Sequence, residues 1–165
     1  MASENSGAAS THPAVELHGA DLVHTRVFAA PRERVWRAWT QPEHFARWFG
    51  PHGATMPVLT MDVRPGGVLH FQHRHATGED VWVRGVYREV AAPERLVFDA
   101  GFSDADGNER ERPGFAQGMR ITVAFADDPG GTRVSIRTAG LEVDQGESQG
   151  WTESLERLAE LLDAS

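Results

Sequence analysis

A chain of 165 residues fits one domain and is long enough to bury a real core, with room for an enclosed cavity. Its 24 acidic residues against 16 Lys and Arg leave a formal charge of -8, which excludes the counterion-releasing grip on a nucleic-acid backbone. Cysteine is absent, which excludes disulfides, thiolate metal sites and a Cys nucleophile, and no stretch approaches the roughly 18 apolar residues of a membrane span.

The start, MASENSGAASTHPA, has neither the basic nor the apolar region of a secretory leader, so the expected location is cytoplasmic, without membrane attachment. Residues 1–19 are rich in Ser, Ala, Gly and Asn and hold few large apolar groups to offset their ordering entropy; they read as a disordered tail before a single domain over 20–165. A first strand is expected over 21–29. Pro31 is suited to the first position of a helix, with Val35, Trp36, Ala38 and Trp39 as its apolar stripe, and Pro42 restarts the pattern with Phe45, Trp48 and Phe49. Two short helices in tandem are thus expected, ended by Gly50-Pro51-His52-Gly53.

From 54 to 139 the period is two. Leu59, Met61 and Val63 alternate with polar neighbours, and Arg64-Pro65-Gly66-Gly67 places Pro and Gly at the centre of a type II turn. The next strand holds Leu69, Phe71, His73 and His75 on one face and His70, Gln72 and Arg74 on the other. Further strands are expected over 81–90, 96–102, around Met119, Ile121, Val123 and Phe125, and around Val134 and Ile136, giving about seven in all. The short connections favour antiparallel neighbours. The polar stretch 103–115 reads as an exposed loop. After Gly140 the period becomes helical: Trp151, Leu155, Leu158 and Leu162 form one stripe, each worth roughly 1.5–3 kcal/mol on burial, so this long helix must lie against the sheet.

Four words occur in a telling order: RVFAAPRERVWRAWTQPEHFARWFGP, DVRPGG, GVYREVAAPERLVF, and GW followed by spaced leucines. Together they resemble the homologue family of the heat-shock-protein-90 ATPase activator, within the START and birch-pollen-allergen-like superfamily, over residues 21–162. The resemblance implies an α+β helix-grip fold: a curved antiparallel sheet wrapped around a long C-terminal helix, with two short helices after the first strand. It leaves function open, because proteins of this likeness include a co-chaperone domain, antibiotic-resistance proteins, lipid carriers and polyketide cyclases.

In such a fold a cavity between sheet and helix suits an apolar ligand. Strand alternation sends His73 and His75 inward with Phe71, and His70 outward. Two histidines two apart on a strand supply two metal ligands where a zinc site needs three or four; Glu79, Asp80 or His52 would have to complete one, so neither a metal nor another cofactor is expected. The expected ligand-binding residues are Trp48, Phe49, Leu59, Met61, Phe71, His73, His75, Phe98, Met119, Ile121, Trp151 and Leu155. His73 and His75 are also the candidate acid/base groups of an alternative cyclase, dehydratase or hydrolase activity. Trp36, Trp39 and Trp151 fit core packing. The acidic residues Glu79, Asp80, Asp99, Glu142 and Asp144 fit solvated surface, as do Arg26, Arg64, Arg84 and Arg88, whose alternative is an inward cation that meets an acidic ligand. GxSxG, Walker and HExxH signatures are absent. The expected partner is a small apolar or aromatic molecule bound by a monomer or homodimer, with a chaperone or stress-response partner as the other alternative.

Overall fold

The computed structural model describes residues 14–18, 21–113, 118–139 and 147–164. In chain order the elements are β1 (Ala14–His18), β2 (Asp21–Phe28), α1 (Arg32–Thr40), α2 (Pro42–Trp48), β3 (Thr55–Met61), β4 (Val68–Arg74), β5 (Asp80–Ala91), β6 (Arg95–Ser103), β7 (Gly118–Asp128), β8 (Gly131–Ala139) and α3 (Glu147–Ala164). All eight strands join one open antiparallel sheet in the order β1-β2-β8-β7-β6-β5-β4-β3. This is the helix-grip α+β architecture, with one strand more than the sequence led us to expect.

The extra strand is β1, which falls inside the stretch read as a tail. Ala14 to His18 pair with Thr25 to Asp21 of β2, and Val15 stays 44% exposed at the sheet edge. Such a strand is held by its backbone ladder, so composition alone does not announce it. The rest of the expected tail, residues 1–13 and 19, lies outside the described residues.

The proline signals place both short helices. Pro42 occupies the first turn of α2, whereas Pro31 sits one position earlier than expected, as the N-cap of α1, its carbonyl accepting from the Arg34 and Val35 amides at 3.0 and 3.1 Å. The Trp48 indole N–H donates to the Ala38 carbonyl at 2.8 Å and locks α2 to α1. At the β3–β4 turn Gly66 has φ +86°, and the Gly67 amide donates to Arg64 O at 2.8 Å, as the Pro-Gly pair requires.

The segment after β6 is tighter than a free loop. The Asp104 carboxylate accepts from the Asp106 and Asn108 amides, both at 2.9 Å, and Ser103 bridges to Glu109. Residues 114–117, including the end of the expected loop, lie outside the described residues, as do Glu142 and Asp144.

The α3 stripe lands as its spacing predicts: Trp151, Leu155, Leu158 and Leu162 are all buried, with Ser154 between them. An isolated helix of this length is marginal in water, so this burial against the sheet supplies most of its stability. Opposite it, inward residues form rows across the strands. One row runs Tyr87, Phe98, Ile121, Thr138; the next runs Leu69, Gly85, Ala100, Met119. The second row has its two smallest residues in the middle: Ala100 borders unfilled space, whereas Gly85 lies so close to β6 that a Cβ there would meet Asp99 O at 2.7 Å.

Candidate functional site: a cavity between the sheet and the last helix

Above Ala100 lies a cavity of about 340 Å³, walled mostly by apolar side chains of β4 to β7, by Phe49 to Pro51 and by the first turns of α3. Of the expected ligand-binding residues, Phe49, Phe71, His73, His75, Phe98, Met119, Ile121 and Trp151 are on its wall. Four are elsewhere. Trp48 is fully buried between the two short helices, because its indole N–H turns to Ala38 rather than to the cavity mouth. Leu59 and Met61 pack half-buried on the edge strand β3, and Leu155, also fully buried, packs in the core off the cavity wall.

The aromatic wall is continuous. Phe49 stacks on Phe45 at 4.5 Å and meets Trp151 edge-on at 5.4 Å, while Trp151 stacks on Trp39 at 6.0 Å. Trp39 and Trp151 are buried as core residues, so Trp151 serves both packing and wall.

The loop after α2 forms the polar side, and long-range bonds hold it. Arg157 donates to four carbonyls, Gly50 O at 3.2 Å, Pro51 O at 3.0 Å, Arg47 O at 3.1 Å and Ala54 O at 3.1 Å. Glu153 accepts from the His52 amide at 2.9 Å, and Glu156 meets the His52 ring at 2.7 Å. Within this loop one peptide is clamped on both sides. The Phe49 carbonyl accepts from His73 Nε2 at 2.9 Å, and the Gly50 amide of the same peptide donates to Ser154 Oγ at 2.9 Å. A carbonyl only accepts, so His73 carries its proton on Nε2 and keeps a lone pair on Nδ1. Gly50, at φ +117°, lies so close to this ring that a Cβ there would come within 2.7 Å of Nε2.

His73 is buried, and desolvation lowers its pKa to about 4; the bond to Phe49 opposes the shift, while the neighbouring His75 and Arg157 add to it. The ring is therefore neutral at physiological pH. His75 follows it inward, 6.3 Å away between ring centroids. His70 is on the opposite face, bonded to Asp104 O at 3.1 Å and packed on Trp82. The three histidines of HFQHRH thus divide two and one. Among the described residues, no group of three or more His, Asp or Glu side chains converges as a metal cage.

None of the arginines singled out from sequence reaches the cavity. Arg64 pairs with Asp62 and Arg88 with Asp99, both exposed; Arg26 lies over the Phe28 ring; Arg84 is on the outer face. The cation at the mouth is Arg112, which binds Glu79 through two bonds of 3.0 and 3.4 Å and lies 5.7 Å from the Phe102 ring centre. This pairing holds the Glu79 carboxyl below its usual range. Sequence periodicity missed Arg112, Ser154 and Gly50 because each reaches the cavity through contacts far apart in the chain. Ala100 was missed as well, because a small residue marks the cavity only once the strand register is known.

A wider depression of about 580 Å³ on the outer face is lined by Arg84, Asp99, Gly101, Gly118 and Arg120. It is open to solvent, and Asp99 within it is already satisfied: Arg120 and Arg88 hold its carboxyl at a pKa of about 2. The more sheltered, mostly apolar cavity beneath α3 is the better site for an apolar ligand.

Known proteins place this architecture. A crystal structure from Mycobacterium smegmatis is 25% identical, covering 94% of this chain and 98% of that one at a TM-score of 0.81. One from Chromobacterium violaceum is 30% identical, with coverage of 88% and 99% and a TM-score of 0.75. A third, from Silicibacter pomeroyi, shares the fold at 23% identity and a TM-score of 0.75, with coverage of 88% and 99%. The curated proteins contain no match. The family described as Activator of Hsp90 ATPase homolog 1-like protein matches residues 29–163, and to that family the chain belongs.

Proposed function

We propose that the protein binds a small, apolar, aromatic-containing molecule in the cavity between the sheet and α3. The carrying observation is the hollow itself: about 340 Å³, walled by Phe49, Phe71, Phe98, Met119, Ile121 and Trp151, with a hydrogen-bonded polar side at the loop after α2. That volume is at the small end of ligand pockets, which favours one or two rings over a long lipid chain. Binding is favoured over acid/base turnover because His73 has an Nε2 committed to the loop and a pKa near 4, far from the range in which a general base works well at neutral pH.

Thermal unfolding with neutral one- and two-ring aromatics tests the reading. A ligand at about a hundredfold its Kd stabilises the fold by about 2.7 kcal/mol. Ala100→Phe, which fills the cavity floor, should remove that response while leaving the fold intact. Absence of any response in the unsubstituted protein, or an undiminished response in Ala100→Phe, refutes cavity binding.

A further inference from the structure

We infer that the cavity selects a neutral ligand bearing a hydrogen-bond donor, of the phenol or naphthol class, whose O–H is received by Nδ1 of His73. The inference rests on the binding reading above and adds to it the polarity of the ligand's functional group. It comes from the clamped peptide. The Phe49–Gly50 unit accepts from His73 Nε2 and donates to Ser154 Oγ, so both of its hydrogen-bonding directions are used and the His73 tautomer is fixed by the loop on the cavity's polar side. Gly50 closes against the Nε2 edge of the ring, leaving no room there for another partner. Nδ1 is the nitrogen left over: His73 is on the cavity wall, and Nδ1 has no protein partner among the described residues. It is an acceptor without a donor. Phe49 and Phe71 pack against the ring at 5.8 and 4.7 Å between centroids and hold its plane.

An apolar molecule without a donor would strip water from Nδ1 and leave it unpaired. One with an O–H would replace that water, and it would complete a chain in which every bond points the same way, from ligand to His73 to peptide to Ser154. A carboxylate is disfavoured twice: it offers no donor to the lone pair, and Arg112 at the mouth is already engaged by Glu79.

The test is a calorimetric or fluorescence titration of the full chain with four matched probes: 2-naphthol, 2-methoxynaphthalene, naphthalene and 2-naphthoate. We expect 2-naphthol to bind at least about tenfold more tightly than each of the others. His73→Phe, which keeps a ring on the wall, should bring 2-naphthol and 2-methoxynaphthalene to within about twofold of each other. Equal binding of 2-naphthol, its methyl ether and naphthalene overturns the donor inference and leaves cavity binding standing. Preference for 2-naphthoate overturns it in favour of an anion site. Binding of none of the four overturns the cavity reading and this inference together. Retention of the naphthol preference in His73→Phe removes His73 from the role.

Discussion

Lowering the pH from about 7 to about 4.5 should destabilise the folded state by about 2 kcal/mol through His73. In the unfolded chain this ring titrates near the ordinary histidine value of 6.5, whereas burial holds it near 4 in the fold. The unfolded chain therefore takes up the proton first. The contribution of His73 to stability is fully present above pH 6.5, declines as the pH falls, and levels off below about 4. At about 1.4 kcal/mol per pH unit, that gap amounts to about 3 kcal/mol at its limit, of which about 2 is expressed by pH 4.5. Asp99, held near 2 by Arg120 and Arg88, loses its contribution only from its ordinary 3.8 downward, so the two windows separate. The assay is urea unfolding at several pH values for the unsubstituted protein and for His73→Phe. The variant starts less stable, because Phe49 O loses its donor, but its curve should be flatter by about 2 kcal/mol across the same interval. Parallel curves for the two proteins refute the assignment of a neutral, desolvated ring to His73.

Three further perturbations probe the loop and the helix. Arg157→Ala removes four carbonyl bonds and should cost about 3 kcal/mol in chemical unfolding; Arg157→Lys should recover little of it, since one ammonium does not span the same fork, and full rescue by Lys would show that only charge matters. Gly50→Ala combines φ +117° with a Cβ 2.7 Å from the His73 ring, so a loss of about 1–3 kcal/mol or more is expected, together with a weaker acid dependence as His73 is pushed aside; unchanged melting would contradict the close approach. Leu155→Ala, fully buried under α3, should cost about 2–5 kcal/mol in the same assay, and a loss below about 1 would mean that the helix is not packed on the sheet as described.

The β-strand and helix order was legible because each element declares itself locally. Alternation around Leu69, Phe71 and His73 identified which side chains point inward, and the Trp151, Leu155, Leu158, Leu162 spacing identified the face of α3 that is buried. The same alternation separated His70 from His73 and His75 correctly. Trp48 shows where that logic stops. Its position before a Gly-Pro loop placed it near the mouth, but the direction of its indole was decided by a carbonyl ten residues earlier. β1 was hidden for a related reason, since an edge strand draws its stability from a partner ladder that leaves little mark on its own composition.

By itself, then, the amino-acid sequence determined every element but β1, their order, the family and the inward faces, because periodicity and turn chemistry act over a few residues. Tertiary structure decided the rest. Ala100 reaches the hollow beside Phe98, Met119 and Ile121 only because β6 and β7 are in register. The polar side exists because His73, the Phe49–Gly50 peptide and Ser154 come together from three distant parts of the chain. Hydrogen bonds and packing depend on distance in space, and only the folded chain supplies that.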